Sequence, residues 1–187
     1  MSGSSFGAEI LSAFSRGQMY AAAFRDNMQE YNRSTRTGNY SHSRAEKASV
    51  RHIGEAKRWY RQAMFDFMAA ENNVVTGDKD KSFNWVCYKC HQASEKALKA
   101  AWFAKNANKA RQKEHSLTAI AIGLDEGSLF DEAQNLESLT GNYSYLRYPD
   151  AVAGCTRIPA ELFGSDKATN AIDITKRILD MTSDIIH

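Results

Sequence analysis

Lys89, Lys96 and Lys99 recur along one stretch of the chain together with Trp85, Gln92 and Phe103. At 100° per residue on a helix, all six fall within about 80° of one another. Ammonium groups attract phosphate, and a flat apolar ring offers a base a surface to stack on. The stripe therefore has the composition of a site for a nucleotide or another polyanion. A plain solvated helix face also carries lysines. Trp85 and Phe103 tip the reading toward contact, because large rings on a polar face call for a ligand or a second subunit to cover them. The stripe is expected to be exposed, with Lys96 and Lys99 holding phosphates, Lys89 adding to the field, and Trp85 or Phe103 beside the base or a partner.

Cys87-Tyr88-Lys89-Cys90-His91 spells a haem-attachment pattern. Attachment would need export and an exposed turn, whereas this segment has helical periodicity and Cys90 falls among apolar residues. Zinc could recruit His115 and Cys155, but a single Cys-x-x-Cys without a second pair is a weak signal. Both cysteines read as small apolar core residues. The sequence has no Gly-x-x-x-x-Gly-Lys-Ser/Thr loop, no Gly-x-Gly-x-x-Gly, no His-Glu-x-x-His and no calcium loop. Acidic pairs such as Asp78 and Asp80, or Asp131 and Glu132, read as linker and helix-start charges.

The elements that must position the stripe follow from the apolar period. Ile53, Ala56, Tyr60, Ala63, Met64, Phe67 and Val74 predict an amphipathic helix to about Asn73, broken by Gly77-Asp78-Lys79-Asp80. Ser82 is a plausible N-cap for a second helix to about Asn106. Its Val86, Cys90, Ala93, Ala97, Ala101 and Ala104 form a small-residue core face opposite the lysines. Ser116 should cap a short helix to Leu124, and Ser128 to Asp131 looks like a capping box opening another that ends near Gly141-Asn142. Pro149 excludes helix at Tyr148, so Arg147 to Pro159 is a loop or crossover. A closing helix from about Asp166 buries Ile172, Thr175, Ile178, Leu179, Thr182, Ile185 and Ile186. The class is all-α, a five-helix bundle with two long antiparallel helices.

Residues 1–48, rich in Ser, Arg and Asn, read as a disordered linker or tail, with a short helix over Ala8 to Tyr31 as an alternative. Residues 49–187 form the domain. A chain of 187 residues with 43% hydrophobic content can bury one sizeable core. A net charge of +2 places any basic site locally rather than across the surface. With no transmembrane-length apolar run and no signal-peptide pattern at Met1, the expectation is a cytoplasmic protein without membrane insertion. Three cysteines in that compartment make disulfides unexpected.

Cys90-His91-Gln92-Ala93-Ser94-Glu95-Lys96-Ala97-Leu98-Lys99-Ala100, then His115-Ser116-Leu117, then Leu146-Arg147-Tyr148-Pro149-Asp150 occur in this order within an all-helical pattern. That combination resembles the HEPN domain, over about Arg51 to Ile186. Within the family it looks most like the domain at the carboxyl end of a very large chaperone-like protein. The resemblance implies a non-catalytic homodimer that binds a nucleotide, GTP or ATP, and meets chaperone machinery through its parent chain; no other cofactor is expected. It also draws Arg147 into the candidate site. HEPN ribonucleases place four to six residues between such an arginine and a histidine that handles protons while the arginine holds the phosphate. Here no histidine follows Arg147 until His187, and Arg111 and His115 enclose only three residues. Cleavage of RNA is therefore not expected. An atypical endoribonuclease and a purely structural dimerisation bundle remain alternatives. Arg147 and Asp150 also read as a salt-bridged loop that pins the fourth helix to its neighbours.

Overall fold

Apolar side chains three and four residues apart build helices throughout, and among the described residues all regular structure is helical. The structure, a computed structural model, describes residues 44–80, 82–106 and 113–186. The described residues from Glu46 onward belong to one unit. Six helices follow in order: α1 (Arg44–Asp80), α2 (Phe83–Asn106), α3 (Leu117–Ile122), α4 (Gly127–Thr140), the single turn α5 (Pro159–Leu162), and α6 (Ser165–Ile186). None is long and apolar enough to cross a membrane.

The expected bundle is present, with α5 added. α1 runs past its expected ends, taking in Arg44 to Ser49 and continuing through Gly77. A lone interior glycine disfavours helix by only about 1 kcal/mol relative to alanine, and a helix of this length absorbs that. The rest of the expected tail, and the alternative helix over Ala8 to Tyr31, lie outside the described residues.

α2 is the central helix. Its small-residue face is buried as expected, with Val86, Cys90, Ala93, Ala97 and Ala101 fully inaccessible. α6 lies along it, and α3, α4 and α5 meet it as well. α1 closes another side: Trp59 stacks near Phe103 with ring centroids 5.9 Å apart, and the Tyr60 hydroxyl donates to the Leu179 carbonyl at 3.1 Å. Only small side chains let helices approach α2 from several directions. On α6, Thr175, Ile178, Leu179, Thr182 and Ile186 of the expected stripe are buried, while Ile172 and Ile185 at its margins are only partly so.

Helix ends are set locally. Ser116 accepts from the Ala119 N–H, as expected, and Glu137 reaches across from α4 to accept from Leu117 and Thr118 N–H at 3.0 and 3.1 Å. The expected capping box at Ser128 to Asp131 is absent. α4 begins earlier, with the Glu126 carbonyl accepting from the Phe130 N–H, so Ser128 already lies inside the helix. At the other end Gly141 has φ +68°, a region closed to most L residues.

Candidate functional site

The periodicity that groups the six stripe residues does not leave them on one surface. At the amino end of α2, Trp85 is exposed and meets Tyr88 edge to face, with centroids 5.8 Å apart. Lys89 is half-buried and forms no ion pair among the described residues. Midway, Lys96 Nζ lies 2.8 Å from Asp66 Oδ2 of α1 and donates to Gln92 Oε1 at 3.1 Å. Gln62 holds the other Asp66 oxygen at 2.9 Å.

The carboxyl end is core, which corrects the expectation of an exposed face there. Lys99 is only 2% exposed; its Nζ donates to Glu95 Oε1 at 2.7 Å and lies 5.6 Å from the centre of the Trp59 ring. Phe103 is buried between Trp59 and Trp102. The reason is α1, which packs on the side of α2 opposite the small residues. A charge can be buried there because a carboxylate one turn earlier is buried with it.

Arg147 occupies a different setting. Its guanidinium carbon lies 4.7 Å from the centre of the Tyr88 ring, 5.3 Å from Tyr143 and 5.0 Å from Tyr148. No carboxylate pairs with it among the described residues, and its buried Nε has no hydrogen-bond partner. The alternative salt bridge to Asp150 is thus not formed. The turn is built by Asn142, whose Oδ1 accepts from the Ser144 N–H and hydroxyl, both at 3.0 Å, and by the Ser144 carbonyl, which accepts from Arg147 and Tyr148 N–H. Leu146, fully buried, anchors it. The result is a cation framed by aromatic rings, with exposed Trp85 adjoining through Tyr88.

The model of the HEPN domain family matches residues 56–185. This chain belongs to the HEPN domain family. It is 34% identical to human (Homo sapiens) sacsin over 141 residues, which cover 70% of this chain and 3% of sacsin. Among solved structures, TT1696 from Thermus thermophilus aligns with a TM-score of 0.59 at 26% identity, covering 70% of this chain and 98% of that one. ST0689, an archaeal HEPN homologue, aligns with a TM-score of 0.55 at 22% identity over 71% and 98%, and supports the fold alone.

Within this HEPN bundle, histidines border the two settings. The exposed His115 brings Nδ1 to 3.2 and 3.3 Å from the two Glu95 oxygens, and its ring stands 5.4 Å from Tyr143. His91 is buried between Thr140 Oγ1 and the His115 carbonyl, and burial lowers its pKa below the usual 6.5. With both ring nitrogens engaged by protein, His91 is not offered to a haem. Cys87 and Cys90 are fully buried; burial raises the Cys87 thiol to about 12 and pushes Cys90 up as well. Thiols held protonated are poor metal ligands, and no group of metal-ligating side chains forms among the described residues.

Sequence reading missed Glu95, Tyr88, Tyr143 and Tyr148. Glu95 carried a signal, being four residues before Lys99 on one helix face. The tyrosines carried a weaker one in the run Tyr143-Ser144-Tyr145-Leu146-Arg147-Tyr148, where composition alone does not say which rings face the arginine.

Proposed function

We propose that this HEPN domain is a non-catalytic, dimerising, nucleotide-binding module of a larger, chaperone-like cytoplasmic protein, taking GTP or ATP as a polyanion. The carrying observation is Arg147, a half-buried guanidinium with no carboxylate partner among the described residues, framed by three tyrosine rings. Such a group has charge and donors left for phosphate, while the neighbouring rings offer stacking surface. Lys89 adds charge, and Trp85 stands beside the base or the partner subunit. Gln92 and Lys96 form an outer contact, because Lys96 must share itself with Asp66. Lys99 and Phe103 contribute through the core. Dimerisation follows the habit of HEPN domains, and exposed Trp85 and Tyr148 supply apolar surface for a symmetric contact.

Calorimetric titration with GTP and ATP tests the nucleotide, and light scattering during gel filtration tests the dimer. No heat at millimolar nucleotide sinks the first. A monomer mass at tens of micromolar protein sinks the second and leaves a scaffold.

One observation favours the alternative of an atypical endoribonuclease. The Tyr143 ring lies between His115, oriented by Glu95, and Arg147. A histidine oriented by a carboxylate can serve as general base beside a phosphate-holding arginine. Cleavage of labelled RNA that disappears in His115→Ala would establish that reading over the non-catalytic one.

A further inference from the structure

The arginine turn is held from below by one side chain of α2. Asn84 is 5% exposed, and its Nδ2 donates to the Leu146 carbonyl at 3.0 Å. That carbonyl belongs to the peptide that joins Leu146 to Arg147. Among the described residues the Asn84 Oδ1 is buried without a partner, and so is the Arg147 Nε. Buried polar atoms are nearly always satisfied, because leaving one bare costs about 1–3 kcal/mol. Asn84 and Arg147 each keep one such atom next to this single hydrogen bond among the described residues. Leu146 alone could bury the turn through its side chain, so packing does not require an asparagine here. An apolar residue at position 84 would remove the bare Oδ1 but would also take the donor from the Leu146 carbonyl, so what the asparagine specifically supplies is the hold on that peptide.

We infer that Asn84 is a positioning residue for the anion site: it fixes the Leu146–Arg147 peptide so that the guanidinium stays among Tyr88, Tyr143 and Tyr148 and is presented to phosphate. This rests on the reading of Arg147 as the phosphate contact. Preorganisation of this kind raises affinity by removing the cost of ordering the arginine on binding. Asn84 itself does not touch the ligand, since its side-chain amide is spent on the backbone and its Oδ1 is inaccessible.

The test is a double-mutant cycle with GTP, using the full chain, the single variants Asn84→Ala and Arg147→Ala, and the double variant. Asn84→Ala is expected to weaken GTP binding about tenfold while Arg147 is present, and to cause no further loss in the Arg147→Ala background. The salt dependence of binding should flatten in Arg147→Ala, which loses a phosphate contact, and stay near the parent's in Asn84→Ala, where the arginine still meets the phosphate once ordered. A role confined to folding would lower the melting temperature and leave the GTP affinity of the folded chain at the parent value.

Equal losses in the two backgrounds, or GTP binding by a folded Asn84→Ala chain that matches the parent, overturns the inference while Arg147 stands. Absence of GTP binding by the parent overturns the functional reading and this inference together. Should Asn84→Ala not fold, the parent chain still decides. In a GTP titration followed by NMR, the Asn84 side-chain amide and the Arg147 Nε–H should shift with one apparent Kd. An Arg147 response without an Asn84 response overturns the coupling.

Discussion

The two ends of α2 carry similar residues and came to opposite uses. At the carboxyl end Lys99 and Phe103 lie under α1, with Glu95 as counter-charge and Trp59 as cover. At the amino end Trp85 is exposed, and Tyr88 supports Arg147, which has no carboxylate among the described residues. A cation whose counter-charge is supplied by the fold is committed to the fold. One that meets only rings and a bare dipole remains available to an outside anion. Charge and aromatic content alone do not distinguish a site from a core; the presence of an internal partner does.

The largest effect should come from breaking the committed end. Glu95→Ala removes a buried carboxylate from Lys99, and broken buried pairs typically lose about 3–5 kcal/mol. Chemical denaturation should show a loss of that order, and a loss below about 1 kcal/mol would mean the pair is not truly desolvated. Gly141→Ala comes next and strikes the turn at the open end. A Cβ there would stand 2.5 Å from Tyr145 Cδ2 at φ +68°, so about 2–3 kcal/mol of stability should be lost, read from the same denaturation curves.

Arg147→Ala sharpens the contrast, because the two losses should separate. GTP affinity is expected to fall about 10- to 100-fold, the scale of one charge-assisted hydrogen bond, while the melting temperature hardly moves. A large fall in melting temperature without loss of GTP binding would place Arg147 with the core residues instead. Acid adds a smaller test of the region between the ends. Burial lowers the His91 pKa, so below the ordinary value of 6.5 the unfolded chain takes up a proton that the folded one refuses. Stability from this residue is complete above pH 6.5 and falls as pH drops toward the lowered folded value, by at most about 1.4 kcal/mol per pH unit. Thermal melts at pH 7 and 5.5 should show the decline, and His91→Gln should flatten it. Lys96→Ala should do least, shifting stability by about 0.5 kcal/mol and GTP binding by roughly threefold, since its pair with Asp66 is partly solvated.

Much of the bundle was legible because helical period is a local property. The α2 small-residue face, the α6 stripe, the Ser116 cap and the stop at Gly141 each depend on side chains within a few turns. The capping box at Ser128 was misread because Glu126, two residues earlier, already supplies the carbonyl that starts α4. The candidate site was legible only in part. Lys89 and Trp85 could be named from their types and spacing, and Arg147 only through the resemblance to the HEPN domain. That Lys99 and Phe103 are buried could not, because period tells which residues share a face and says nothing of what lies on it.

The sequence by itself determined the helical class, most helix ends and the membership of each helical face, since these follow from spacing, capping and backbone preference. Tertiary structure alone decided which charges are matched and which are left over. Asp66 meets Lys96, Tyr88 of α2 joins Tyr143 and Tyr148 of the turn around Arg147, and Asn84 holds the Leu146 carbonyl 62 residues away. Electrostatic partnership depends on distance in space and on the water excluded between groups, and neither is set by neighbours along the chain.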